Sequence, residues 1–229
     1  MARRSDPRPE LPSFNAPRAP VSSVMEQVFE SLKDSILTQG LAAGTPLIES
    51  QLAEEFGISK TPVREALQKL AQAGLVDMAH ARGASVHTLG EREARDILEL
   101  RILLEPQALL EGAKHFHAND LTAIERILRD AARAIKRKDT TTLSRLNIEF
   151  HRSLYSKSPN QILVAWLESL NDRRRLLSLL GWARDDRSLE ELHEHQSVLE
   201  ALRDGKAKLA STRLHDHIKK FSKLLLEKE

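Results

Sequence analysis

The sequence predicts a mainly α-helical protein in two parts: a small N-terminal domain of short helices with a β-hairpin, followed by a C-terminal antiparallel bundle of six helices. Glycine and proline punctuate residues 21–90 and become rare in residues 91–229, where apolar residues recur with a helical period. The links between the later helices are short, which forces consecutive helices to run in opposite directions. Residues 1–20, with five prolines and four arginines, are predicted to be a disordered tail.

Residues 21–90 are predicted to form three short helices and then the hairpin. The first helix stops near Gly40, the second at Gly57 and the third at Gly74, because glycine commonly follows the last turn of a helix. Glu49 or Ser50 is expected to cap the second helix. A short apolar piece at 47–48 is long enough only for an edge strand. Two further short strands flank Arg82–Gly83, which predicts a glycine turn.

Helix, glycine turn, helix and hairpin follow one another in the order of a winged helix-turn-helix, whose second helix enters the major groove of DNA. The third predicted helix has an apolar side and a polar side. An arginine on the polar side can bind guanine in a bidentate manner, and hydroxyl groups at the helix N-terminus can donate to phosphate. The candidate DNA contacts by this pattern are Ser59, Lys60, Thr61, Arg64, Gln68, Arg82 and Gly83.

The charge of this module argues against a purely electrostatic DNA interaction. The whole chain has a net charge of +2, yet residues 21–90 carry five Lys and Arg against eight Asp and Glu, or −3. A DNA-binding domain usually has a basic surface. The alternative is a helical hairpin with a solvated charged face, and the basic tail is either a passive extension or an arm that touches phosphates.

Residues 46–67 read PLIESQLAEEFGISKTPVREAL, and GLV follows at 74–76 and RG at 82–83. This segment resembles the GntR family of bacterial transcription regulators. The resemblance implies that Lys60, Thr61 and Arg64 contact double-stranded DNA and that Arg82 and Gly83 form the wing tip. The family often has arginine at the positions of Ser50 and Lys60, so Ser50 is an altered DNA-contacting position. The expected assembly is a homodimer on a pseudo-palindromic operator.

In residues 91–229, helical spacing predicts that several histidines face the interior of the bundle. Asn147 and His151 are four residues apart and share a face. Of the pairs 193/195 and 215/217 only one member each can face inward, and neighbouring apolar residues select His195 and His217. Three imidazoles and an amide from three helices predict a divalent-metal site, whereas the alternative is a set of hydrogen-bonded core histidines. The histidines assigned to the surface are His80, His87, His115 and His117.

Four segments of this region are ELRILLE at 99–105, NIEFHRSL at 147–154, EHQSVLEAL at 194–202 and DHI at 216–218. They resemble the FCD ligand-binding domain, and a count of six helices points to its VanR-type branch. The resemblance implies metal ligands at Asn147, His151, His195 and His217, with zinc or nickel expected. Asn147 stands where the family typically has Asp, so the site binds metal less tightly or relies on an anionic effector for charge balance.

The resemblance also implies that the effector is a small organic acid. Arg101 matches an inward arginine of the family and is expected to bind the effector carboxylate. The alternative for Arg101 is a salt bridge between helices with a glutamate. The expected function is a DNA-binding regulator, most often a repressor in this family.

Composition excludes several other functions. A chain without cysteine has no disulfide, thiolate-bound metal or thiol nucleophile. No apolar run approaches the ~20 residues of a membrane helix, and the N-terminus lacks an apolar signal core, so the chain is predicted to be cytosolic. Two rival functions remain: a constitutive DNA-binding structural protein, and a metal-dependent hydrolase. The hydrolase needs a general base, for which Glu149 faces away and Glu191 is the candidate.

Overall fold

The structure is a computed structural model that describes residues 21–79, 83–184 and 186–226. Its N-terminal part, called here the N-terminal module, spans residues 21–86. In chain order the module contains α1 (Val21–Leu37), β1 (Pro46–Leu47), α2 (Glu49–Phe56), α3 (Lys60–Gln72), β2 (Val76–Ala79) and β3 (Gly83–Val86).

Helices α2 and α3 form the predicted helix-turn-helix. Gly57 ends α2 with φ of 64°, a left-handed conformation that a residue without Cβ adopts at little cost. Pro62 lies in the first turn of α3, where its missing N–H leaves no helical hydrogen bond unmade. The apolar face of α3 is completely buried: Val63, Ala66, Leu67 and Leu70.

The three strands form one antiparallel sheet in the order β1-β3-β2, so β1 is an edge strand as predicted. Strands β2 and β3 make the predicted hairpin, in which Val76 is opposite Val86 and Ala79 is opposite Gly83. Residues 80–82, which include the predicted wing residue Arg82, lie outside the described residues.

The C-terminal part is an antiparallel helical bundle with seven α-helices among the described residues. The bundle comprises α4 (Glu91–Gly112), α5 (Ala118–Arg137), α6 (Thr140–Tyr155), α7 (Gln161–Ser169), α8 (Asn171–Arg184), α9 (Ser188–Arg203) and α10 (Ala207–Leu226). The predicted count of six is therefore wrong, and the assignment to the six-helix branch, which depended on that count, loses its basis. None of the described helices is long and apolar enough to cross a membrane.

The additional helix arises because the predicted helix at 160–181 breaks at Leu170. The N–H of Leu170 donates to the carbonyl of Leu167, three residues back instead of four. The next residue, Asn171, begins α8, and its Oδ1 accepts from the Tyr155 hydroxyl of α6 at 3.1 Å and from Arg174, three residues further along α8, at 3.0 Å. This break follows from tertiary contacts and carries no glycine or proline that sequence patterning would detect.

Helix α8 of the bundle touches the N-terminal module through charged and apolar side chains. Asp172 forms an ion pair with Lys33 of α1 at 2.8 Å. Leu176 packs against the apolar core of the module. The Arg173 guanidinium covers Gly74 so closely that a Cβ at position 74 would overlap it. Glycine at position 74 therefore both ends α3 and admits this interdomain contact.

His87, which the sequence assigned to the surface, bridges the two parts of the chain. Its Nδ1 lies 2.8 Å from Asp77 Oδ1 on β2, and its Nε2 lies 2.8 Å from Glu93 Oε2 on α4. Partial burial lowers the pKa of His87, but hydrogen bonds and charge from the two carboxylates outweigh burial and raise it above its usual value. The protonated imidazole is thus favoured in the folded state.

We predict that this bridge makes stability depend on pH. Because the folded-state pKa of His87 is raised, its contribution is fully present below the unfolded pKa of about 6.5 and is lost as pH rises through the folded value. Denaturant unfolding of the wild type and His87→Gln near pH 5.5 and pH 8.5, roughly one to two units either side of that value, should show a smaller pH dependence in the variant. The matched variant His115→Gln, at an exposed position, should keep the wild-type dependence. Equal pH dependence in all three proteins would contradict the assignment.

Candidate metal centre and DNA-binding surface

The polar face of α3 is turned away from the core of the N-terminal module. The described candidates for DNA contact are all exposed: Ser50, Ser59, Lys60, Thr61, Arg64, Gln68 and Gly83. A recognition helix that reads DNA must have one side free to enter the major groove. The module therefore offers one exposed polar helix face with a hairpin beside it.

Arg64 is held within this surface by Glu49. The N-cap of α2 is Ile48 and not the predicted Glu49 or Ser50, and Glu49 lies in the first turn of the helix. Glu49 Oε2 accepts from Arg64 Nη2 at 2.7 Å, and Oε1 accepts from Nε at 3.0 Å. The hydrogen bond lowers the pKa of Glu49 and raises that of Arg64. Exposed ion pairs are weak and screened by salt, so the guanidinium can exchange this partner for phosphate or a base.

The bundle brings the three predicted histidines together. His151 on α6, His195 on α9 and His217 on α10 are buried, and one ring nitrogen of each lies within 4.8 Å of the others. The Nε2 atoms of His195 and His217 are 3.1 Å apart. Two nitrogen ligands at about 2.0–2.1 Å from one tetrahedral zinc ion are about 3.3 Å apart, so this separation suits a shared ion.

Two of the rings are oriented by carboxylates. Glu105 Oε2 lies 2.7 Å from His151 Nδ1, and Glu194 Oε2 lies 2.7 Å from His217 Nδ1. A carboxylate that accepts the Nδ1 proton fixes the tautomer and leaves Nε2 unprotonated, the form in which this nitrogen can bind a metal. In the contact between His195 and His217, the shared proton therefore lies on His195.

Burial keeps His151 and His195 neutral. It lowers the pKa of His151 to about 3, although Glu105 acts in the opposite direction. Burial, reinforced by the positive charge of Arg101, lowers the pKa of His195 well below its usual value. Neutral imidazole is the form that binds metal ions.

Asn147 contributes an acceptor without a partner. Its Nδ2 donates to Ser178 Oγ at 2.9 Å, while its buried Oδ1 has no hydrogen bond. Asn147 and His195 both line a cavity of about 20 Å³, together with Glu191. An unpaired buried carbonyl oxygen costs free energy unless it finds a donor or a cation. Three imidazoles and this oxygen are therefore donor types that suit a divalent metal.

Arg101 faces the histidines, as predicted, and it also forms a salt bridge. Its Nε donates to Glu105 Oε1 at 2.7 Å, so the glutamate is on the same helix, not on a neighbouring one. Its Nη2 lies 3.4 Å from His151 Nε2. Burial raises the pKa of Glu105, but the charges of Arg101 and Arg174 outweigh it and hold that pKa well below its usual value.

Sequence reasoning missed the groups that support this centre. Glu105 follows Arg101 by four residues, a helical spacing that could have identified the pair. Glu194 is adjacent to His195 in sequence yet serves His217. Nothing in the sequence marked Ser178. Arg174 was hidden because it is one of three consecutive arginines, and the sequence does not show which of them turns inward.

Both halves of the chain match known protein families. Residues 24–86 match the model of bacterial regulatory proteins of the gntR family, and residues 96–220 match the FCD domain. Together with the helix-turn-helix, these matches define a DNA-binding transcription regulator. The chain belongs to the GntR family and carries an FCD domain.

Several known regulators are similar to it over most of their length. The HTH-type regulator YdhC of Bacillus subtilis is 30% identical, over 83% of this chain and 86% of that protein. The gluconate operon repressor of Bacillus licheniformis is 28% identical, over 81% and 78%. The structure of McbR/YncC from E. coli has a TM-score of 0.72 at 27% identity and covers 86% of this chain and 94% of that one.

The family identifies the protein as a regulator and not an enzyme, so the hydrolase alternative is set aside. Glu191, the base that a hydrolase would require, is buried and lines the small cavity. Burial raises its pKa, and its Oε2 accepts a hydrogen bond from Trp182 Nε1 at 3.1 Å.

Proposed function

We propose that this regulator is a homodimeric repressor whose operator binding is controlled by a small organic acid bound near a divalent metal in the bundle. The observation that carries the proposal is the buried cluster of His151, His195 and His217 beside the unpaired Asn147 oxygen. This cluster lies in the same bundle whose helix α8 contacts the N-terminal module.

The metal would be held by His151, His195, His217 and Asn147. Imidazole and amide donors suit Zn²⁺ or Ni²⁺. When bound, the ion supplies a positive centre to which a carboxylate oxygen can coordinate. All four ligands are neutral, so an anionic effector would also balance the charge of the ion.

A second cavity supports the binding of a small molecule. It has a volume of about 300 Å³, lies between Gln39 of the N-terminal module and the bundle, and shares Leu143 and Trp182 with the small cavity beside His195. This volume is at the lower end of the range for ligand sites. The relative that represses a gluconate operon has a small organic acid in its name, which agrees with a carboxylate effector.

Helix α8 supports coupling between the effector and DNA. Ser178 on α8 accepts a hydrogen bond from Asn147, while Asp172 on the same helix pairs with Lys33 of the N-terminal module. Two recognition helices of a dimer must be about 34 Å apart to enter successive major grooves. A shift of α8 on ligand binding would change that separation and weaken binding to the operator.

Exposed apolar residues on two adjacent helices support dimerisation through the bundle. Leu103 on α4 and Ile162 and Trp166 on α7 are 68%, 74% and 65% exposed. Helices α4 and α7 pack on each other, and we name these three residues the α4–α7 patch. Large exposed apolar groups that lie together are typical of protein interfaces.

We predict that Arg64→Ala weakens operator binding by about tenfold or more, since a bidentate arginine contact is lost. The measurement is a gel shift at fixed salt with the promoter region of the protein's own gene. Arg129→Ala, which removes the same charge from an exposed position on α5, should bind as the wild type does. Glu49→Gln, which releases Arg64, should not weaken binding. Unaltered binding by Arg64→Ala would contradict the role of Arg64.

We predict about one divalent metal per chain in protein purified without a nickel column, as four ligands from one chain imply. Elemental analysis should show the metal lost in His195→Ala and retained in His193→Ala, an exposed histidine two residues away. Asn147→Asp should bind metal more tightly, because a carboxylate replaces a neutral amide. Metal-free wild-type protein that still responds to an effector would refute the metal site.

We predict that Leu103→Glu turns a dimer into a monomer, because a charge within the α4–α7 patch would be buried in the interface without a partner. Sedimentation equilibrium measures the change. Leu189→Glu, at a comparably exposed leucine on α9, is the control and should leave the dimer intact. A wild-type monomer at micromolar concentration, or a dimer unaffected by Leu103→Glu, would overturn this interface.

A further inference from the structure

Arg174 on α8 is a buried cation with an unused hydrogen-bonding edge. Its side chain is 1% exposed, and its Nε and Nη2 make no hydrogen bond. Its Nη1 donates to Asn171 Oδ1 at 3.0 Å, and the guanidinium lies 5.8 Å from the centre of the Tyr155 ring. Nε and Nη2 form one side of the planar guanidinium fork, the geometry that receives both oxygens of a carboxylate.

The nearby glutamate does not satisfy Arg174. Glu105 Oε1 already accepts from Arg101 Nε at 2.7 Å, and Oε2 is 2.7 Å from His151 Nδ1. Arg174 Nη2 is 3.5 Å from Oε1 and makes no hydrogen bond with it. Two buried guanidinium groups thus share one carboxylate, which leaves an excess of one positive charge beside neutral histidines.

We propose that Arg174 is the carboxylate receptor of this regulator and binds the anionic head of the effector through Nε and Nη2. The proposal deepens the proposed function and depends on its effector being an organic acid. Arg101, the residue that the sequence indicated for this role, is occupied: its Nε bonds to Glu105 and its Nη2 lies against His151. Arg101 is then a positioning residue for Glu105 and His151.

The position of Arg174 relates it to the other unpaired group of the core. Ser178 accepts from Asn147 Nδ2 and donates to the carbonyl of Arg174 at 3.1 Å. One orphaned group is an acceptor, the Asn147 oxygen, and the other is a donor pair on Arg174. The Asn147 oxygen can bind a cation, and the two Arg174 donors can bind an anion. A metal ion and a carboxylate would therefore satisfy both groups.

Anion binding at Arg174 would act directly on the helix that touches the N-terminal module. Residues 174, 178 and 182 are spaced one helical turn apart on the inner side of α8, and Trp182 forms a wall of both cavities. The adjacent Arg173 covers Gly74 on the module side. A carboxylate bound to Arg174 would therefore act on α8, the helix whose outer side contacts the N-terminal module.

The experiment uses acetate as the probe, since it is the smallest carboxylate with an apolar group. Thermal unfolding of the full-length protein is followed in sodium acetate and in sodium chloride at equal ionic strength. Acetate should raise the midpoint of the wild type above its value in chloride. Arg174→Lys keeps the charge but loses the fork, and Arg174→Met loses both, so both variants should lose the acetate-specific shift.

Stability without ligand separates a receptor from a structural ion pair. Arg174→Met should unfold at or above the wild-type midpoint, because it removes a desolvated and incompletely bonded charge. Arg101→Met is the matched control and should unfold at a clearly lower midpoint, because it strips a hydrogen bond from the buried Glu105. A large loss of stability in Arg174→Met would overturn the proposal, as would an acetate shift that is absent in the wild type or unchanged in Arg174→Lys.

Metal content distinguishes this proposal from the metal site. Arg174→Lys should keep the metal content of the wild type, because Arg174 is not a ligand. If the wild type is metal-free and its acetate shift still depends on Arg174, the proposed metal site is refuted and the proposed carboxylate receptor is supported. A metal-loaded protein whose acetate shift persists in Arg174→Lys would leave the metal and remove the receptor.

Discussion

The buried carboxylate of Glu105 is the charge around which the centre of the bundle is arranged. A carboxylate taken out of water must be paired and fully hydrogen-bonded, and Glu105 meets this requirement with Arg101 and His151. The same bonds fix the tautomer and direction of the His151 ring, on which any shared ion with His195 and His217 depends. Arg174 adds a second positive charge near Glu105, although its Nε and Nη2 make no hydrogen bond. The Glu105 carboxylate thus determines both the charge balance of the bundle interior and the orientation of His151.

Helix α8 connects the buried histidine and arginine groups of the bundle to the N-terminal module. Its inner side carries Arg174 and Ser178, and its outer side carries Asp172 and Leu176, which contact the N-terminal module. A packed helix moves as one body, so a change on one side displaces the other. The break at Leu170 separates α8 from α7, which carries two members of the α4–α7 patch. The helix that contacts the module is therefore not a rigid extension of the helix assigned to dimerisation.

Sequence patterning predicted the elements whose causes are local. Gly57 and the apolar face of α3 determine the helix-turn-helix, and the period of 3.6 residues correctly turned His151, His195 and His217 inward. The helix break at Leu170 escaped prediction because Asn171 is bound by Tyr155 of another helix, a contact that exists only in the folded chain.

Charge partners were equally hidden from the sequence. Periodicity assigns a side chain to a face of a helix but does not say what stands opposite. Arg101 was correctly turned inward, yet its partner on its own helix was not foreseen. His87 was assigned to the surface because its two carboxylates come from β2 and from α4, which the chain brings together only at the junction of its two parts.

The two tryptophans of the chain occupy contrasting environments. Trp182 is 9% exposed, donates to Glu191 and lines both cavities, whereas Trp166 is 65% exposed on α7. An indole buried among apolar groups emits at shorter wavelength than one in water. The chain therefore contains two tryptophans that are spectrally separable, one at the two cavities and one on the α4–α7 patch. Without any label, a single emission spectrum can report separately on the two places at which we propose ligand binding and subunit association.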